Sequence, residues 1–308
     1  MIQESQRPGV SLQTATLREI ETNLDLGNGI TIFARAWAPA APQRVVICVQ
    51  GLGGHGGYYQ AVAQALAAEG TALAAPDLRG HGRSTGIRGT IDRFDRYVED
   101  VDAVVRWAQA SWPGKPILVL GESMGASIAI QYLVRNLRQS DAVPIAGLAL
   151  VSPVLRPAIE PSIGESIRYL RFLLTAPSRP AMLTTGREEL GCRDHAFNDR
   201  LRADPLFVRK VSVRFLNTLT LWLWQTQRKA GQVKVPMLVL QGECDHVANP
   251  AGTAAFLRRV ATTDQRVITF PEAYHCLLYD PATPLVVKAL TEWLAAYPAM
   301  PEPAVLAD

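Results

Sequence analysis

Residues 116–127 read PILVLGESMGAS. A proline-bounded aliphatic run passes straight through Gly121-Glu122-Ser123-Met124-Gly125 into a stretch whose apolar residues Ile128, Tyr132 and Leu133 recur at helical spacing. The run has the length and aliphatic character of a strand buried on both faces. Gly-x-Ser-x-Gly between a strand and a helix is the context of a nucleophile elbow. So tight a turn holds its serine in a sparsely populated backbone conformation, and side chains at the two glycines would meet the neighbouring strand and helix. The hydroxyl then stands at the carboxyl end of the strand, beside a helix N-terminus that favours developing negative charge. Ser123 is the candidate nucleophile.

Strands are expected at 16–24, 30–37, 44–50, 71–76, 117–120, 146–151, 236–241 and 266–270. Asn28-Gly29 between the first two signals a hairpin. From the third strand onward, strands alternate with helical patterns at 58–69, 93–112, after the elbow, at 250–260 and at 285–297. That rhythm implies an α/β fold, an eight-stranded and mostly parallel sheet with right-handed crossovers and flanking helices. The rhythm stops after Ser152-Pro153. Residues 153–232 hold no buried-strand run, only proline-rich turns and a long helix expected to start at Asp204-Pro205, with Asp as N-cap and Pro at the first helical position. We read them as a helical insertion over the sheet after the sixth strand, dividing a core of 1–152 and 233–308.

The insertion carries 13 Arg/Lys against 7 Asp/Glu, in a chain whose net charge is only +3. Such a surplus suits anionic substrates or peripheral contact with an anionic membrane surface. A solvated arginine-rich face explains it with fewer assumptions. The overall charge is too small to argue for nucleic acid. Residues 1–10 are polar without a signal-peptide core, and no apolar run approaches the ~20 residues that span a bilayer. Cys48, Cys192, Cys244 and Cys276 show no metal-motif spacing, so reduced thiols in a cytoplasmic protein are expected. The proline-rich segment 298–303 reads as a frayed end.

An activated serine needs a base and a group to orient it. After this elbow type the expected order is acid, then histidine. Asp245 follows one expected strand and His275 the next, so Ser123, Asp245 and His275 gather at the carboxyl edge of one sheet, where sites of open α/β folds collect. Of the other histidines, His55 and His81 precede the serine in glycine loops and suit bracing, His195 lies in the insertion, and His246 adjoins the acid and points away. Asp77 suits a loop brace, and Asp100 and Asp102 a helix face near solvent. Cys244, Asp245, His246, His275 and Cys276 resemble a metal cluster, but neighbours in extended chain point to opposite sides, so no metal is expected. The loop GLGGHGG (51–57) lacks the Lys-Ser/Thr of a phosphate cradle. Its other reading is an oxyanion loop whose backbone N–H groups face the nucleophile.

These motifs, with GLGGHGGYY (51–59), PDLRGHGRSTGIRG (76–89), FDRYVEDV (94–101), ADPL (203–206), VPMLVLQGECDHV (235–247) and PEAYHCLLYD (271–280), resemble the α/β-hydrolases of the monoacylglycerol lipase and lysophospholipase type, which share a profile with serine aminopeptidase-like hydrolases. The resemblance implies Ser123 as nucleophile, Asp245 as acid and His275 as base, and backbone N–H groups of Leu52 and Met124 as the oxyanion hole. It also implies that 153–232 form a cap lining an acyl pocket. One position departs: Gln50 stands where such families usually have His before the first oxyanion-loop glycine. The serine excludes the aspartate-nucleophile branches of the fold.

The activity expected is cofactor-free hydrolysis of carboxylic esters through an acyl-enzyme, on a small-molecule acyl ester or a monoacyl lipid such as a monoacylglycerol or lysophospholipid. The same triad also serves amide or peptide hydrolysis and acyl transfer. A non-catalytic receptor on this fold commonly lacks a triad member, and none is missing here. In the insertion, Phe215, Leu219 and Trp222 suit contact with an acyl chain, and equally ordinary packing.

Overall fold

The computed structural model describes residues 17–156, 163–182 and 191–297. The polar residues 1–10 and the proline-rich segment 298–303 lie outside them. Eight strands form one sheet, in the order β1-β2-β4-β3-β5-β6-β9-β10. β1 (Arg18–Asp25) and β2 (Thr31–Ala38) make the hairpin across Asn28-Gly29, with Arg18 opposite Ala38 and Asp25 opposite Thr31. β2 also runs antiparallel to β4 (Thr71–Pro76). Every other pairing is parallel, through β3 (Arg44–Val49), β5 (Ile117–Glu122), β6 (Ile145–Val151), β9 (Met237–Gly242) and β10 (Gln265–Phe270). β3, β4 and β5 are buried along their whole length, as aliphatic runs covered on both faces must be.

Alternate residues of each central strand enter two cores. Val45, Ile47 and Val49 face the side packed by α2 (Asp95–Ser111), α3 (Met124–Asn136) and α7 (Pro250–Leu257). Val46 and Cys48 face α1 (Gln60–Ala68) and α8 (Thr283–Leu294).

Between β6 and β9 the chain forms α4 (Ile163–Thr175), β7 (Pro180–Met182), α5 (His195–Ala203), β8 (Lys210–Ser212) and α6 (Val213–Arg228). β7 and β8 pair antiparallel as a separate two-stranded ribbon. Three-residue strands are too short to leave a pattern, so this insertion is not purely helical. The expected single helix from Asp204-Pro205 is also corrected. Asp204 closes α5, and the next helix begins nine residues later at Val213, capped by Ser212 Oγ, which accepts the Phe215 N–H at 3.0 Å. An aspartate before a proline fits an N-cap, but β8 keeps the intervening chain extended and Ser212 supplies the cap instead. Among the described residues no helix is long and apolar enough to cross a membrane.

Candidate active site

Ser123 sits between β5 and α3 with φ 55° and ψ −118°. A non-glycine residue there costs about 1–3 kcal/mol and persists only where its surroundings over-determine it. They do so here. Ser123 N–H donates to Val151 O at 2.9 Å, and its carbonyl accepts Ala126 N and Val154 N, both at 3.2 Å. The flanking glycines are demanded by close approach: a Cβ on Gly125 would lie 2.2 Å from Val49 O, and one on Gly121 2.5 Å from Ala126 Cα.

The acid and base come from the outer strands. The turns after β9 and β10 are hydrogen-bonded to each other, Cys244 N–H to Ala273 O at 3.0 Å and Glu243 N–H to Phe270 O at 3.0 Å. This fixes the spacing of Asp245 and His275. His275 Nδ1–H donates to Asp245 Oδ2 at 2.7 Å, and Ser123 Oγ–H donates to His275 Nε2 at 2.8 Å. The second Asp245 oxygen accepts the N–H groups of Val247 (2.8 Å) and Ala248 (2.9 Å). Burial alone would raise the Asp245 carboxyl. The hydrogen bond and charge of His275, with those two amides, hold it below the ordinary carboxylate range instead. An ionised Asp245 fixes the proton on Nδ1 and leaves Nε2 free to accept, the tautomer a general base requires.

The glycine loop after β3 lies against the serine: a Cβ on Gly51 would come within 3.1 Å of Ser123 Cβ. Leu52 follows in this loop, and Met124 opens α3, where N–H groups have no intrahelical acceptor. Gln50 braces the loop from within, its Nε2 donating to Gly54 O at 2.5 Å. The amide therefore supplies a brace where the resembling families have His.

Asp77 accepts Gly56 N–H at 2.7 Å and Arg83 N–H at 2.8 Å, the bracing role expected of it. His81 is fully buried with Nδ1 3.2 Å from Arg79 O, and burial pushes its imidazole down to about 4. His246 is exposed and edge-on to Tyr274. Asp100 departs from expectation. It is completely buried, taking Arg79 N, Nε and Nη2 at 2.9, 2.8 and 2.6 Å. The loop carrying Arg79 covers a helix face that its polarity alone assigns to solvent. Among the described residues no group of three or more His, Cys, Asp or Glu is placed to hold a metal ion.

The three apolar residues of α6 all pack against the core. Phe215 has no exposed surface and packs edge-on against Phe94 at 5.2 Å; Trp222 stands 5.7 Å from the same ring. Both join α6 to the core, which fits the packing alternative for this stripe. Leu219 is partly buried against the same core and also packs against Val154, Leu223 and Ala248, of which Val154 and Ala248 bond Ser123 and Asp245. A cavity of about 560 Å³ among α2, α3 and α6 has none of Ser123, Asp245 and His275 in its lining.

Two clusters have no sequence pattern. Glu122 lies buried beneath the elbow, accepting the Tyr59 hydroxyl at 2.5 Å, and burial raises its carboxyl. Asp204 of the insertion reaches back to accept His55 Nε2–H at 2.8 Å and the Tyr58 hydroxyl. The partners lie 63 residues apart in the first cluster and 146 to 149 in the second, so no local signal announces either.

A strained serine at the end of the central strand, hydrogen-bonded through histidine to a carboxylate on this sheet, defines an α/β-hydrolase with a serine nucleophile. The chain belongs to the family described as serine aminopeptidase, S33 (Hydrolase_4), which matches residues 40–282. It is 30% identical over 276 residues to a monoacylglycerol lipase of Mycolicibacterium smegmatis, covering 87% of this chain and 94% of that one. It is 28% identical to the monoglyceride lipase of Homo sapiens (81% of each chain) and 26% to the phospholipase YtpA of Bacillus subtilis (85% and 98%). The crystal structure of Paleococcus ferrophilus monoacylglycerol lipase superposes with a TM-score of 0.72 at 24% identity, over 86% of this chain and 99% of that one. The protein is thus a serine hydrolase of the lipase and esterase type.

Proposed function

We propose that the protein hydrolyses carboxylic esters of monoacyl lipids, such as monoacylglycerols or lysophospholipids, or simple acyl esters, through an acyl-enzyme and without a cofactor. The observation that carries the reading is the hydrogen-bond chain from Ser123 Oγ through His275 to Asp245, at 2.8 and 2.7 Å. Ser123 Oγ attacks the ester carbonyl as His275 Nε2 takes its proton. The Leu52 and Met124 N–H groups receive the oxyanion, each worth roughly 3–4 kcal/mol by analogy with a measured donor. Asp245 stabilises the imidazolium, which protonates the leaving alkoxide. Water, deprotonated by His275, then attacks the acyl-enzyme and releases the acid.

The lipid part of the reading is supported by the names of the relatives and by the insertion, which we read as a cap over the site. On α4, Ile167, Leu170 and Leu174 are 65%, 55% and 76% exposed at helical spacing, and on α6 Trp224 is 59% exposed with Arg228 over its ring. Exposed apolar side chains among arginines suit peripheral contact with an anionic lipid surface.

The test is the initial rate on p-nitrophenyl esters from acetate to palmitate, with monoacylglycerol and lysophosphatidylcholine alongside, for wild type and Ser123→Ala. Rates that rise toward long chains and vanish in Ser123→Ala are expected. Turnover retained by that variant refutes the mechanism. Activity confined to short chains refutes the lipid assignment, and a folded protein inert on every ester shifts the assignment to amide hydrolysis or acyl transfer.

A further inference from the structure

Five of the seven residues from Gly51 to Gly57 are glycine, and a segment so rich in glycine loses the most backbone freedom on ordering. Yet this loop is the proposed bearer of an oxyanion donor, whose worth depends on being fixed before the reaction. Its internal ties are few: Gln50 to Gly54, Asp77 to Gly56, and Gly57 N–H to His55 Nδ1 at 3.1 Å. Tyr58 N–H also donates to His55 O at 3.2 Å, Tyr59 anchors the loop's end on Glu122, and the insertion adds a further set of ties.

We propose that Asp204 is a positioning residue, holding the oxyanion loop against Ser123 through His55 and Tyr58 and tying it to the segment that also grips the His275 loop. This rests on the hydrolase reading above.

The hydrogen bonds have a defined direction. His55 Nδ1 accepts from Gly57, so the neutral ring carries its proton on Nε2 and donates it to Asp204 Oδ2. The Tyr58 hydroxyl donates to the same oxygen. Asp204 Oδ1 accepts Leu206 N–H at 2.7 Å, which fixes the carboxylate itself. Burial works against the ionised Asp204, but the Tyr58, His55 and Leu206 bonds prevail and hold its carboxyl below the ordinary range. Next along the chain, Val208 N–H donates to Gly53 O at 2.9 Å, and the Phe207 ring lies where a Gly53 Cβ would be, 2.9 Å away. Asp204 thus anchors a second strip of backbone against the same loop.

The other end of the segment holds the proposed base. Cys276 N–H donates to Gly191 O at 2.7 Å, and Arg193 pairs with Asp280 through two bonds of 2.6 and 3.0 Å. Phe197 of α5 stacks on Tyr279 at 4.3 Å, and Tyr58 meets both rings edge-on. Residues 191–208 are therefore fastened to the core at both ends, once at the donor loop and once at the histidine loop. A merely structural pin would lower stability and leave each folded molecule as active as before. A positioning residue lowers turnover per folded molecule and loosens the loop locally.

The experiment compares wild type, Asp204→Ala, Tyr58→Phe and, as control, Asp199→Ala at an exposed position of α5. It reads amide hydrogen exchange of residues 50–59 together with kcat and KM on p-nitrophenyl butyrate. In Asp204→Ala we expect exchange of this loop to rise at least 10-fold while β5 and α3 keep their protection. We expect kcat to fall on the order of 10- to 100-fold, the cost of misplacing a catalytic group by about 1 Å, with KM within about threefold. Tyr58→Phe removes one bond and keeps the carboxylate. It should shift both readouts the same way by a smaller factor, and it serves if Asp204→Ala does not fold. Unchanged loop exchange overturns the proposal whatever the activity, and so does faster exchange with wild-type kcat. Failure of the hydrolase reading shows separately, as equal turnover by Ser123→Ala and wild type, and removes the oxyanion role with it.

Discussion

Replacing Gly125 by alanine tests how closely the elbow is fitted to the proposed oxyanion hole. The new Cβ would lie 2.2 Å from Val49 O and 2.5 Å from Gln50 O, both backbone atoms at the end of β3. Real Cβ contacts essentially never fall under 3.0 Å, so β3 and the start of α3 must part by roughly 0.8 Å. The two proposed donors sit on either side of this contact, Leu52 three residues beyond Val49 and Met124 one residue before Gly125. An N–H···O bond of about 2.9 Å stretched by that amount lies beyond 3.6 Å and no longer counts as one. The variant should therefore lose the equivalent of one oxyanion donor, about 10²–10³-fold in kcat, or roughly 2.7–4 kcal/mol. The assay is kcat and KM on p-nitrophenyl butyrate, with circular dichroism and thermal melting to establish that the protein is folded. Gly231→Ala is the control, because the nearest atom to its added Cβ is Arg259 O at 3.5 Å. A folded Gly125→Ala enzyme within threefold of wild-type kcat would refute the geometry assigned to the hole.

Asp245→Asn should lower kcat on the order of 10³–10⁴-fold with the fold retained, because the amide no longer stabilises the imidazolium or enforces the Nδ1 proton; a loss under tenfold on p-nitrophenyl butyrate would count against Asp245 as the orienting acid. Burial holds His81 at about 4 against 6.5 in an unfolded chain, so the folded state favours the neutral ring. Its contribution is fully present above pH 6.5 and is lost as pH falls toward 4, by roughly 3 kcal/mol at 1.36 kcal/mol per pH unit. Guanidinium midpoints at pH 7 and pH 4.5 should accordingly draw closer together in His81→Gln than in wild type, and equal separations would contradict the assignment. Gly164 is an exposed α4 residue with no atom within 4 Å of an added Cβ, so Gly164→Ala should stabilise by about 0.5–1 kcal/mol, read as a higher denaturation midpoint.

The parts of the molecule readable in advance are those set by local chemistry. The elbow is announced by two glycines and an aliphatic run. Asp245 and His275 are announced by falling just after strands, and a parallel sheet brings strand ends together wherever the connections lead. Side chains whose partners are remote in sequence escaped. Asp204-Pro205 has the chemistry of a helix start, but its carboxylate is drawn to a loop 149 residues away and its backbone leads into β8. Asp100 sits among polar residues on an amphipathic helix and looks solvent-facing until Arg79 is laid over it. Phe215, Leu219 and Trp222 form one stripe, and periodicity distinguishes a buried face from an exposed one without telling core from pocket.

The sheet order also sets a schedule for synthesis. The proposed nucleophile and base are 152 residues apart, because β9 and β10 are placed outside β6 only after the whole insertion has been made. At 5–20 residues per second the ribosome needs roughly 8 to 30 s to pass from one to the other. Throughout that interval the serine lacks its proposed base, and β6 offers an apolar edge awaiting β9. If the proposed triad carries the chemistry, a nascent chain stays inert toward acyl esters through that interval while an apolar edge waits unpaired, and turnover begins only once its last core strands have docked.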